Sequence, residues 1–205
     1  MGEGLREEPY NIGKFRCRVI YNNVLGLPIV LLHGFRFSSD VWLRINLLEF
    51  LEENKIPFVA IDMPYGVSSK CSPKTRDPLK NIRVVREVVK GLFGNIKPMI
   101  VGASLGGYIA LKYAVENPVA GLVLIGPVNV FEKSLVEKYN TLNIPVLIIW
   151  GEKDRIVSRN DMIRLSEILD AQLITYKDSG HAAYLNRPSD FKKNIVAFHK
   201  ALKLE

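Results

Sequence analysis

The chain has 205 residues, 48% hydrophobic and 24% charged, a size and composition that suit one globular domain with a substantial core. Its formal net charge is +7, yet basic and acidic residues interleave in "REVVKGLF", "FEKSLVEK" and "GEKDR". The least mixed patches, "SSKCSPKTR" and "FKKNIVAFHKALK", carry no nucleic-acid motif, so they are read as solvated surface and no nucleic-acid partner is expected.

No apolar run reaches the length of a membrane span. The opening "MGEGLREEPY" is polar and acidic and lacks the basic start and apolar stretch of a secretory signal. Arg6 stands where a myristoylation signal wants Ser or Thr. The expectation is a cytoplasmic protein that makes no use of a membrane. Cys17 and Cys71 are too few for a disulfide framework and lack metal-ligand spacing. Cys17 reads as a buried strand residue, and Cys71, in a polar loop, as a free thiol.

Taken in order, apolar runs of strand length alternate with longer amphipathic stretches. "FRCRVIY" alternates like a half-buried strand, and "PIVLLHG" is continuously apolar, as in a strand covered on both faces. "SSDVWLRINLLEFLEEN" has Val41, Ile45, Leu48 and Leu51 at helical spacing, with Ser39 or Asp40 as cap. "PFVAID" is the next strand. In "RDPLKNIRVVREVVKGLF" Asp77 caps a helix, Pro78 fits its first turn, and Gly91 or Gly94 ends it. Then come strand "KPMIVGA", helix "LGGYIALKYAVEN", strand "VAGLVLIGP", a short polar helix "FEKSLVEKYNTL" and strand "IPVLIIWG". Helix "SRNDMIRLSEIL", strand "AQLITYKD" and helix "RPSDFKKNIVAFHKAL" close the chain. Such alternation predicts an α/β fold with a mostly parallel central sheet, helices on both faces, and one domain over 1–205.

In an open parallel sheet, functional groups gather at the carboxyl ends of the strands. Five conspicuous residues fall there: His33, Asp62, Ser104, Asp154 and His181. "GASLG", Gly102 to Gly106, places Ser104 between a strand and a helix, the context of a G-x-S-x-G nucleophile elbow. The turn must be tight enough to lift the hydroxyl clear of the sheet, so the flanking glycines must lack bulk. A serine hydroxyl needs a base, and the base needs a carboxylate to fix its tautomer. Of three histidines, His181 in "DSGHAAYLNRP" follows the last strand and is the expected base; His199 reads as a surface residue. Asp154, just after "VLIIWG", is the expected acid, since Asp62 breaks the chain order Ser, Asp, His and Asp178 lies too near His181. The amides of Phe35 and Leu105 are the expected oxyanion donors. His33 is left to shape its loop through hydrogen bonds.

These residues together resemble the α/β-hydrolase superfamily, through "LLHGFRFSSDVW", "VAIDMP", "VGASLGG", "VLIIWGEKD" and "DSGHAAYLNRP". The nearest likeness is to its small cap-less group, typified by the TFIID-interacting factor B protein, and "LLHGFRFSSDVW" is the most specific pointer. The resemblance implies the Ser104, Asp154, His181 triad, with Phe35 and Leu105 as donors and no metal or cofactor. One departure is "PYGVSS": Tyr65 and Val67 stand where relatives usually carry glycine.

Only Val128 to Asn143 separates "GLVLIGP" from "IPVLIIWG", too little for a helical lid. The site is therefore expected to be open and shallow, with Phe37, Tyr65 and Val128 among its substrate-binding walls. The expected activity is an esterase-type serine hydrolase on small, short-chain acyl esters or thioesters. Two alternatives stand beside it: a module on the same fold that binds a protein partner, and an acyltransferase or perhydrolase using the same triad.

Overall fold

The structure is a computed structural model that describes residues 4–202. Eight strands form one sheet in the order β1-β2-β4-β3-β5-β6-β7-β8. They are β1 (Arg6–Ile12), β2 (Phe15–Tyr21), β3 (Ile29–Leu32), β4 (Phe58–Ile61), β5 (Met99–Ala103), β6 (Gly121–Ile125), β7 (Val146–Gly151) and β8 (Gln172–Tyr176). β1 and β2 form a hairpin, and β2 joins β4 antiparallel. From β4 to β8 every pairing is parallel. The carboxyl ends of β3, β4, β5, β7 and β8 therefore share one edge, as the alternation of elements predicts.

The helices are α1 (Asp40–Arg44), α2 (Leu47–Glu53), α3 (Pro78–Phe93), α4 (Leu105–Ala114), α5 (Lys133–Val136), α6 (Arg159–Ile168), α7 (Ala183–Asn186) and α8 (Pro188–Leu202). Side chains alternate along each central strand and feed two separate cores. Val30, Leu32, Ile100, Leu122, Leu124 and Ile148 face the core built with α3, α4 and α6. Ile29, Leu31, Val101, Val123 and Ile149 face the core built with α1, α2 and α8. Burial on both faces is why these strands read as continuous apolar runs.

α3 begins as its sequence dictates: the Asp77 side chain accepts from the amides of Leu79 and Lys80, Pro78 takes the first position, and Gly94 ends the helix at φ 64°. The stretch read as one helix from Ser39 is two, because Asn46 adopts left-handed φ 53° between α1 and α2. Ser39 does not cap with its side chain either; its hydroxyl goes to Asp62.

Two further expectations are corrected. Cys71 is not a free thiol: it is buried and joined to Cys17 by a disulfide. The link spans a sequence separation of 54 residues and stabilises the fold by about 4 kcal/mol through the entropy it removes from the unfolded chain. His199 is not on the surface: it is fully buried, and its Nε2 donates to the Leu27 carbonyl at 2.8 Å. The chain before Phe15, unassigned by pattern, forms edge strand β1.

Candidate active site

Ser104 sits between β5 and α4 with φ 53° and ψ −114°. A non-glycine residue held there carries roughly 1–3 kcal/mol of backbone strain, and the surroundings hold it in place. The Ser104 amide donates to the Ile125 carbonyl at 2.8 Å, and its carbonyl accepts from Gly107 at 3.0 Å and Tyr108 at 3.2 Å. The glycines two before and two after leave no room for a side chain. A Cβ on Gly102 would lie 2.4 Å from the Gly106 carbonyl oxygen, and one on Gly106 would lie 2.4 Å from that of Leu32. The elbow is tight because β3, β5 and α4 converge on it.

Asp154 and His181 come from the loops after β7 and β8. His181 Nδ1 donates to Asp154 Oδ2 at 2.8 Å. The Asp154 carboxylate is fully buried, while the imidazole is 20% exposed. The other carboxylate oxygen of Asp154 accepts from the amides of Ile156 at 2.7 Å and Val157 at 3.2 Å. Burial pushes this carboxyl up, but His181 and the two amides outweigh it and hold the group below the usual carboxylate range. Asp154 is thus ionised at neutral pH, able to fix the imidazole tautomer and to balance an imidazolium.

Gly126 links this pair to the serine. It follows β6 at φ 47°, and a Cβ there would lie 3.2 Å from both Asp154 Oδ2 and His181 Nδ1. On either side of it, Ile125 accepts from the Ser104 amide, and Val128 donates to the Ser104 carbonyl at 3.4 Å. One turn therefore carries the serine on its flank and the histidine against its face. Among the described residues, His181 Nε2 is buried and has no hydrogen-bond partner. The Ser104 hydroxyl is not bonded to it in this state; such contacts commonly close only around substrate.

The loop after β3 supplies the facing wall. A Cβ on Gly34 would lie 3.7 Å from Ser104 Cβ, so Phe35 follows directly beside the serine. The Phe35 carbonyl is tied to the Val67 amide at 2.8 Å. Among the described residues, the amides of Phe35 and Leu105 donate to no protein acceptor. Leu105 opens the ten-residue helix α4, whose positive end points at the same place.

His33 has the loop-shaping place expected of it. Its Nδ1 donates to the Gly34 carbonyl at 2.8 Å, and its Nε2 accepts from the Met63 amide at 3.0 Å. Complete burial pushes it down to about 4, so it stays neutral. The rival carboxylates are engaged elsewhere. Asp62, fully buried, takes the Ser39 amide at 2.6 Å, the Lys70 amide at 2.7 Å and the Arg18 guanidinium at 3.1 Å. Asp178 is exposed and pairs with Lys153 at 2.7 Å.

Two open grooves adjoin the turns that touch Ser104, one through Val128 and one through Phe35, and neither is lined by Ser104 itself. One, of about 610 Å³, contains Val128, Phe131, Ile156, Val157 and Met162. The other, of about 440 Å³, contains Phe35, Tyr65, Val67, Lys74 and Arg76. Tyr65 contributes little open surface: it is 3% exposed and its hydroxyl donates to the His33 carbonyl. Phe37 is half-buried and packs on the α1–α2 side of the sheet. Between β6 and β7 the described chain has only α5 and a 3-10 turn, Tyr139–Thr141, so no cap covers these grooves. Sequence reasoning missed Gly126 and the amides of Ile156 and Val157. The glycine directly after the β6 apolar run was a signal for the first; nothing in residue type marks the other two.

Comparison with known proteins bears on the family and the fold. The family model described as "Alpha/beta hydrolase family" matches residues 29–135. The mouse "Protein ABHD14A" is 28% identical over 189 residues, covering 88% of this chain and 76% of its own. The rat "Putative protein-lysine deacylase ABHD14B" is 28% identical over 179 residues, covering 85% and 83%. A solved structure of a predicted CIB-like hydrolase from Thermoplasma acidophilum superposes with TM-score 0.85 at 23% identity, over 96% of this chain and 98% of that one.

Proposed function

The chain belongs to the alpha/beta hydrolase family, and from that premise we propose that it is a serine hydrolase of the esterase type, acting on small, short-chain acyl esters or thioesters. The observation that carries the reading is His181: one ring nitrogen is bound to a buried, ionised Asp154, and the other has no partner beside the turn that holds Ser104.

The steps follow from these positions. His181 Nε2 takes the Ser104 proton as Oγ bonds to the acyl carbon. The carbonyl oxygen becomes an oxyanion facing the amides of Phe35 and Leu105, each worth about 3–4 kcal/mol in such a role. The tetrahedral centre collapses, the bond to the leaving oxygen or sulfur breaks, and His181 returns the proton to it. Water then attacks the acyl-Ser104 ester, again losing a proton to His181, and collapse releases the carboxylic acid and the free hydroxyl.

Short acyl groups and water as acceptor suit grooves that no cap closes. The rat relative's name adds acylated lysine as a second substrate class for the same chemistry. The test is covalent labelling with a fluorophosphonate, followed by mass spectrometry of the peptide carrying Ser104. Stoichiometric phosphonylation of Ser104, with turnover of p-nitrophenyl acetate, is the expected result. An inert Ser104 in the folded protein contradicts the reading and favours a binding-only role.

A further inference from the structure

The two grooves differ in the charged residues that line them. The groove containing Val128 also carries Glu132 and Asp161. The groove containing Phe35 carries Lys74 and Arg76 and no carboxylate. Arg76 lies over the Phe35 ring, its guanidinium carbon 4.6 Å from the centroid. Phe35 is the residue whose free amide faces the reacting carbonyl in the reading above, so Arg76 packs on the side chain of a residue that the same reading places in the site.

Arg76 stands on a fixed backbone. The Thr75 amide donates to the Pro64 carbonyl at 3.1 Å, and the Asp77 amide to Thr75 Oγ1 at 3.2 Å. Asn81 Nδ2 donates to the Thr75 carbonyl at 3.1 Å, tying the segment to α3. The neighbouring carboxylate does not neutralise it: Asp77 caps α3 and pairs with Lys80 at 3.0 Å. Lys74 lines the groove, and its Nζ donates to the carbonyls of Gly66, at 2.7 Å, and Ser69. Among the described residues neither Lys74 nor Arg76 forms an ion pair. An exposed guanidinium lying on an aromatic wall, beside a second cation that has no ion-pair partner among the described residues, can receive a planar anion.

We propose that this groove is a specificity subsite that takes an anionic substituent of the substrate, of the carboxylate class, and that Arg76 is its specificity-determining residue. The proposal rests on the hydrolase reading above. The anion can belong to the acyl group or to the leaving group, and the chemistry of recognition is the same.

The test compares two ester pairs. Mono-p-nitrophenyl adipate against p-nitrophenyl hexanoate puts the carboxylate on the acyl side. 3-Acetoxybenzoate against phenyl acetate puts it on the leaving group. In each pair the readout is the charged-to-neutral ratio of kcat/KM, which cancels any change a variant makes to the shared chemistry. In one pair Arg76→Gln lowers this ratio about fivefold, the upper range for an exposed charge pair, and does so through KM. Arg76→Lys restores most of it, Arg76→Glu lowers it further, and added salt erodes the wild-type ratio. The affected pair identifies which side of the ester bears the anion. A ratio equal in wild type and all three variants, in both pairs, with neutral esters still turned over, overturns the subsite alone. No turnover of any ester by wild type contradicts the hydrolase reading and the subsite with it.

Discussion

His33 and His181 stand at the same edge of one sheet, each in a loop after a strand, under opposite conditions. His33 spends both nitrogens, one on the Gly34 carbonyl and one on the Met63 amide, and no solvent reaches it. His181 spends one on Asp154 and keeps the other. The aspartates divide the same way. Asp62 and Asp154 are both fully buried carboxylates held below their usual range. Asp62 is consumed by Arg18, Ser39 and Lys70 and fastens loops together; Asp154 holds an imidazole with a spare nitrogen. Burial and position alone do not separate structural from chemical residues at this edge. The unspent hydrogen-bonding atom does.

That contrast can be broken at several points. The largest expected loss is at the nucleophile: Ser104→Ala lowers kcat/KM for p-nitrophenyl acetate by roughly 10⁴–10⁶ without lowering the melting temperature. Relief of the strained turn is not expected, since alanine must adopt the same φ. Asp154→Asn follows, at about 10⁴, because an amide can hold the wrong tautomer of His181. A smaller loss at either position, in folded protein, places the chemistry elsewhere.

The structural pair answers in stability. Asp62→Ala leaves the Ser39 and Lys70 amides without an acceptor and Arg18 with only the partly exposed Asp40 and Glu7 as ion-pair partners, and destabilises by about 3–5 kcal/mol in urea unfolding. An unchanged midpoint contradicts the fastening role. His33 gives the smallest effect, with a defined sign. Its folded value, about 4, lies below its ordinary 6.5, so between these limits the unfolded chain binds a proton that the folded protein refuses. Stability from neutral His33 is complete above pH 6.5 and falls by about 3 kcal/mol as the pH drops to 4. His33→Asn flattens that slope if the imidazole causes it; an identical slope in the variant assigns it to other groups.

Much of this frame was legible in the residues. The alternating run Phe15–Tyr21 is β2 to its ends. The central strands announced themselves because they are covered on both faces. Elements with no such periodicity stayed hidden. β1 is mostly exposed, with polar residues on both faces, and is held by hairpin pairing rather than burial. The break at Asn46 was masked because α1 and α2 feed apolar residues to one core, so helical spacing persists across the turn. The disulfide depends on a bridge between Arg16 and Ser72 that brings distant segments together, and spacing along the chain carries no trace of it. His199 bonds to a carbonyl 172 positions away, equally invisible from its own helix. At the candidate site, motif and chain order pointed to the Asp154–His181 contact, whereas the amides that hold Asp154 have no residue-type signature. Within "PYGVSS", a Cβ on Gly66 would meet His33 Cε1 at 2.4 Å, so the loop as folded here needs its glycine at that position.

The most direct measurement is a double-mutant cycle on ester turnover with Ser104→Ala, His181→Ala and the pair together. If imidazole and hydroxyl work as one device, removing the second costs almost nothing once the first is gone, and the double variant is no slower than the worse single one. Two losses that multiply would show independent contributions and contradict the account.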